Sequence, residues 1–260
     1  MPAPHRSAIA WTDYSGGDAN FVTGCTPVSE GCRNCYAKAI YERFGKDFGH
    51  VQVSFEALER LARWKPKPPW KRMDSTRAWT ERPMCFVCDT GDLFHDDVPM
   101  VFIEQAMDVM RGRRDVDWQI LTKRPVRMLQ WWKQSPGYMP GNIWLGVSVE
   151  NQERADVRVP LLLEMPATVR FVSVEPMLEP VNLSLWLHKL DWVICGAESG
   201  PNRRPFDPQW ACALYRQCIW RDAHVPLFYK QGSALKPGQD AELPGYGVVQ
   251  EWPRQEVLIR

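Results

Sequence analysis

The stretch "IWLGVSVENQERADVRVPLLLEMPATVRFVSVE", residues 143–175, decides the fold. It opens on one apolar run, "IWLGVSV" (143–149), and closes on another, "VRFVSVE" (169–175), both of strand length and rich in valine. Between them "ERADVRVPLLLEM" spaces its apolar residues as a helix does. Strand, helix and strand over roughly thirty residues read as a β-α-β unit, which makes the two strands parallel neighbours in one sheet.

The same alternation extends in both directions. "MCFVCD" (84–89) and "WQILTK" (118–123) come before, "WVICGAE" (192–198) and "PLFYKQ" (226–231) come after, and "SAIAW" (7–11) reads as an earlier first strand. The stretch "PMVFIEQAMDVMRGRR" places Phe102, Ile103, Ala106, Val109 and Met110 along one helical face, and "PQWACALYRQCIWRDA" is similar. About seven parallel strands with helical crossovers close into a partial or complete (β/α) barrel, with a doubly wound open sheet as the alternative. A chain of 260 residues, 45% hydrophobic, suits one main α/β domain. The expectation is a barrel over 1–235 and a loop-rich tail over 236–260, with an irregular Pro-, Trp- and base-rich connection at 63–79.

A formal net charge of +1 gives no global basic field, so any contact with nucleic acid has to come from a local patch. No apolar run approaches the roughly 20 residues that span a bilayer, and "MPAPHRSAIAW" lacks the apolar core of a signal peptide. The expectation is no membrane contact and a cytoplasmic protein. Eight cysteines in a reducing compartment point to metal or redox chemistry rather than structural disulfides.

Three of those cysteines crowd into "GCTPVSEGCRNCY" (24–36) as Cys25, Cys32 and Cys35. A closed zinc site needs four ligands, and His95 in "GDLFHDD" is the histidine placed to complete one. Cys85 and Cys88 in "CFVC" have knuckle spacing, but residues three apart on a strand face opposite ways, so they read as core, as do Cys195, Cys212 and Cys218. An iron–sulfur cluster accounts for the odd number, because a cubane held by three thiolates leaves one iron open to a small molecule. S-adenosylmethionine is the cofactor known for chelating such an iron.

Barrel active sites lie at the carboxyl ends of strands, and here those ends are ionisable: Asp89 and Asp92, Lys123 and Arg124, Glu150, Glu175, Glu198 and Lys230. A shared pocket explains six in succession better than solvation of strand ends does.

In this order, "TGCTPVSEGCRNCYA", "DTGDLFHDDVP", "LTKRP", "WLGVSVENQ", "RFVSVEPML", "ICGAESGPNRRP" and "FYKQ" resemble a phage-associated family of radical S-adenosylmethionine-like proteins. The resemblance runs from about Trp11 to Gln231. It implies a partial (β/α) barrel of the radical S-adenosylmethionine type with a [4Fe–4S] cluster on Cys25, Cys32 and Cys35. Two departures stand out. The spacing is C-x6-C-x2-C rather than C-x3-C-x2-C, and Asn34 occupies the place of the aromatic that commonly precedes the third cysteine, with Tyr36 following instead.

Roles follow from the resemblance. Asp89, Thr90 and Asp92 are candidates for the methionyl amino group, Ser148 and Glu150 for the ribose hydroxyls, and Lys123 with Arg124 for an anionic group. Tyr36 is counted with these cofactor contacts. Glu175, Glu198 and Lys230 are the catalytic candidates that orient the substrate. An electron donor such as a flavodoxin or ferredoxin is implied. The basic aromatic stretch at 63–79, with Trp64, Lys65, Lys67, Trp70 and Lys71, and "RGRR" (111–114) could contact phosphates and stack bases. The expected activity is therefore a radical isomerase or lyase acting on a nucleobase or modified nucleotide, as in phage thymidine hypermodification. The alternatives are a lyase that reverses thymine damage in DNA and a non-catalytic zinc-binding nucleic-acid module.

Overall fold

The computed structural model describes residues 2–68, 82–220 and 224–253. In chain order its strands are β1 (His5–Arg6), β2 (Tyr14–Ser15), β3 (Val22–Thr23), β4 (Gln52–Val53), β5 (Met84–Phe86), β6 (Asp117–Thr122), β7 (Ile143–Ser148), β8 (Val169–Val174), β9 (Trp192–Cys195), β10 (Leu227–Tyr229), β11 (Glu242–Leu243) and β12 (Gly247–Val248). The helices are α1 (Tyr36–Arg43), α2 (Phe55–Arg63), α3 (Met100–Gly112), α4 (Pro125–Gln134), α5 (Gln152–Leu163) and α6 (Pro208–Ile219).

The main sheet runs β1-β2-β5-β6-β7-β8-β9-β10. Its first pair is antiparallel and the remaining six are parallel. A doubly wound sheet reverses its strand order at a switch point, and this order never reverses. The sheet instead curls into a half-barrel whose concave face encloses its own aromatic core: Trp144, Phe171, Trp192 and Phe228, with Trp11 and Trp252 brought in from outside the strands. Apolar residues of the opposite parity, such as Leu145, Val147, Val172 and Val193, meet the helices in a second core.

The helices form where the pattern placed them. In α3, Phe102, Ile103, Ala106 and Met110 are buried, with Met107 beside them. Asn151 caps α5 by accepting from Arg154 N, and Asp207 caps α6 ahead of Pro208.

Three expectations need correction. The first parallel strand is β2, not 7–11, because the Ser7 hydroxyl accepts from Ile9 N and turns that segment into the connection of the β1–β2 hairpin. Cys85 and Cys88 are buried as expected but on the same side of the sheet, since β5 ends at Phe86 and Cys88 has φ 56°. The segment after 236 holds the β11–β12 hairpin and then returns to the half-barrel, where Trp252 packs on Phe228 with ring centroids 4.9 Å apart.

Among the described residues no helix is long and apolar enough to cross a membrane.

Candidate functional site

Register assigns the strand-end charges to one face. Ser148 is level with Ser173, Ser173 with Ile194, and Ile194 with Phe228. Ile194 and Phe228 belong to the concave core, so the two serines share its face. Counting on by two gives Glu150, Glu175, Gly196 and Lys230, and Glu198 lies two further. Lys123 follows the Thr122–Val147 pair and so stands level with Ser148. The concave face thus changes from aromatic at its floor to polar at the carboxyl mouth.

At that mouth Lys230 Nζ pairs with Glu175 Oε1 at 2.9 Å. Gly196 makes the room, since a β-carbon there would stand 3.1 Å from Glu175 Oε1 and 3.4 Å from Lys230 Cβ. Beside them Glu150 is fully buried, and Arg158 Nη1 reaches its Oε2 at 3.0 Å and donates to Ser148 O at 2.7 Å. Glu150 Oε1 has no hydrogen-bond partner among the described residues. Lys123 has no ion pair or side-chain hydrogen bond among the described residues.

The cysteine loop lies across this mouth, tied to segments that follow four strands. After β5, Gly24 N donates to Thr90 O and Gly24 bridges Gly91, whose missing side chain lets the loop root approach. After β6, Arg124 donates to Cys25 Sγ at 3.3 Å and to both Thr26 oxygens at 2.9 Å. After β7, Asn151 and Arg154 engage the Glu30 carboxylate, and Gly31 sits so close to Glu150 that a β-carbon would stand 2.9 Å from its Cδ. After β9, Arg204 grips the Glu198 carboxylate and donates to Glu30 O at 2.9 Å, while Asn34 donates to Glu198 Oε2 at 2.9 Å and to Asn202 O at 2.8 Å.

These ties change the standing of several predicted residues. Glu198 is a strut between the last loops and the cysteine loop. Burial opposes its charge, but the hydrogen bonds from Arg204 and Asn34 hold its carboxyl below the usual range. Asp92 is buried and accepts from the Thr122 hydroxyl at 2.7 Å, Phe94 N at 3.0 Å and Lys123 N, so it organises the β6 turn. Asp89 accepts from Asn20, its carbonyl accepts from the Tyr36 hydroxyl, and burial pushes its carboxyl up. Burial, then the charge of Asp92, raises the Cys25 thiol, with Arg124 opposing both.

Arg158, Arg204 and Gly31 had no signal in strand-end reading. Arg158 lies two helical turns into α5 and Arg204 in a loop, while Gly31 matters only through what it abuts. Arg111 and Arg113 of "RGRR" lie where α3 leads into the amino end of β6, away from the mouth. They are held by Glu104, Asp108 and Asp115. Trp64 packs on Tyr14 and Trp118. Residues 69–79 of the basic aromatic stretch lie outside the described residues.

Cys25, Cys32 and Cys35 are free and partly accessible, whereas the other five cysteines are buried. Among the described residues no three His, Cys, Asp or Glu side chains are drawn together into a metal-holding group. The donor chemistry still fits a cluster, with three soft ligands, Cys25, Cys32 and Cys35, on one loop. Glu150 Oε1, buried and unpartnered beneath that loop, fits a hydroxyl-bearing ligand. His95 suits a fourth zinc ligand less well. Its Nδ1 accepts from Asp97 N at 3.1 Å, so Nε2 carries the proton, and Nε2 lies 2.8 Å from the Thr26 hydroxyl.

A family model described as "Protein of unknown function (DUF5131)" matches residues 6–244. The chain belongs to that family. No curated protein and no solved structure matches it. The family's span includes the cysteine loop and every mouth residue above, and leaves out the segment that carries Trp252.

Proposed function

We propose that the protein is a radical S-adenosylmethionine enzyme acting on a nucleobase or modified nucleotide. One observation carries the reading: three unpaired thiols lie on a loop that covers the carboxyl mouth of a parallel half-barrel and is tied to four of its strand ends. Cys25, Cys32 and Cys35 would hold a [4Fe–4S] cluster with one iron left to S-adenosylmethionine. When bound, the pair supplies a 5′-deoxyadenosyl radical by reductive cleavage, the electron coming from an external flavodoxin or ferredoxin.

The chain's own part is to bind, orient and shield. Glu150 Oε1 is an acceptor for a ribose hydroxyl, with Oε2 already neutralised by Arg158. Lys123, without a side-chain partner among the described residues, is a cation for the methionyl carboxylate or a substrate phosphate. The Glu175–Lys230 pair stands above the aromatic floor, where it can orient a substrate group, and that floor excludes water from the reacting centre. Asp92 and Glu198 serve by fixing the loops around the site.

Protein purified without oxygen and reconstituted with iron and sulfide is expected to be brown and to release 5′-deoxyadenosine with dithionite and S-adenosylmethionine. Cys32→Ala should lose both properties. A colourless protein holding one zinc per chain would overturn the reading. Nucleoside mass spectrometry after anaerobic incubation with nucleic acids then separates base rearrangement from repair of a thymine lesion.

A further inference from the structure

Helix α1 starts directly from Cys35, its N-cap, and buries only Ala37. A helix in a folded domain ordinarily covers an apolar stripe, yet here Tyr36 and Ile40, four residues apart on one face, are 52% and 41% exposed. Phe44 at the helix end is 70% exposed. The charge is as uneven as the apolarity. From Arg33 to Lys46 the chain carries Arg33, Lys38, Arg43 and Lys46 against Glu42 alone, so this stretch holds +3 where the whole chain holds +1. Among the described residues Arg33, Arg43 and Lys46 have no ion-pair partner, while Lys38 pairs with Glu42.

Cations that track phosphates and exposed rings that stack bases are the two parts of a single-strand nucleic-acid surface. The Tyr36 hydroxyl is fixed on Asp89 O, which holds its ring as a platform at the edge of the mouth. We propose that this face of α1 binds single-stranded DNA and leads one nucleotide into the half-barrel, an inference that rests on the nucleotide-substrate reading above. DNA is favoured over RNA because reading a 2′-hydroxyl needs free acceptors or amides. Here Glu42 is held by Lys38, Asp47 by Gly49 N, and Asn34 by Glu198 and Asn202.

Fluorescence anisotropy with a labelled twelve-nucleotide single strand tests this on the full chain as purified, with no cluster required. Wild type should bind, with log K falling against log salt at a slope of about −2, as expected for three neutralised cations. Arg43→Glu with Lys46→Glu should weaken binding about ten-fold and flatten the slope. Phe44→Ala should weaken it about five-fold or more, with the slope unchanged. Circular dichroism melts should match wild type for these exposed positions. Absence of binding, equal or tighter binding of RNA, affinity unmoved by the α1 variants, or capture of an acidic flavodoxin in place of DNA would each overturn the proposal. Release of 5′-deoxyadenosine without DNA binding would sink the surface and leave the cluster reading intact; DNA binding by a colourless zinc protein would do the reverse.

Discussion

A β-carbon on Gly146 would lie 2.5 Å from the Phe171 ring, in the middle of the concave core. Neither backbone can yield there, because Gly146 is paired on both sides within the sheet. Gly146→Ala should therefore lower stability by about 1–3 kcal/mol, read as a lower urea midpoint with an unchanged slope. His95 makes a pH-dependent contribution. Burial, then the charge of Arg124, lowers its pKa from the ordinary 6.5, so the unfolded chain takes up a proton more readily than the folded one. The stability involved is present above about pH 6.5 and is lost as pH falls from there toward the folded value. His95→Gln should lose less stability than wild type between pH 7 and pH 5, measured by urea midpoints. At this scale the strand-end charges were readable from sequence, because a strand's two-residue period assigns Glu150, Glu175 and Lys230 to one face. Their partners were not: nothing in "VRVP" or "NRRP" says that Arg158 and Arg204 turn back toward the carboxylates of Glu150 and Glu198, eight and six residues earlier.

Among the elements, the cysteine loop is held differently at its two ends. Arg124 secures its first cysteine, whereas Asn34 and Arg204 secure the part that carries the second and third. Arg204→Ala or Asn34→Ala should speed alkylation of Cys32 and Cys35 several-fold by mass spectrometry while leaving Cys25 close to its wild-type rate. Equal acceleration at all three would show general unfolding instead. The β-α-β periodicity identified β5 to β10 because each carries a short, mainly apolar run of strand length. It misplaced the first strand because β2 is only Tyr14–Ser15, too short to show any period, and "SAIAW" mimics one by chance of composition.

For the whole molecule, the half-barrel is closed by segments from outside its strands, around Trp11 and Trp252. Trp252 donates to Trp11 O, Trp192 donates to Glu251 O, and Gln250 bridges Phe228, so the segments around Trp11 and 250–252 meet at the aromatic core. Trp252→Ala should cost about 3 kcal/mol and lower the melting temperature by several degrees. The parallel order could be read in advance, because short apolar runs alternating with helices admit few topologies. The role of the final segment could not, since "GVVQEWPRQ" has the turn-rich look of a tail and its one large ring counts only when set against strands far earlier in the chain.

The ties across the mouth also fix an order of events during synthesis. Asn34 meets a partner 164 residues later in the chain, and Glu30 one 174 residues later. Domains emerge from the ribosome N-terminus first, so the three thiols leave the exit tunnel long before the residues that hold them in place. Arg124 can reach Cys25 once β6 is made, but until the segment 198–204 follows, the part of the loop that carries Cys32 and Cys35 lacks its ties, so the finished arrangement of all three thiols waits for that point in synthesis.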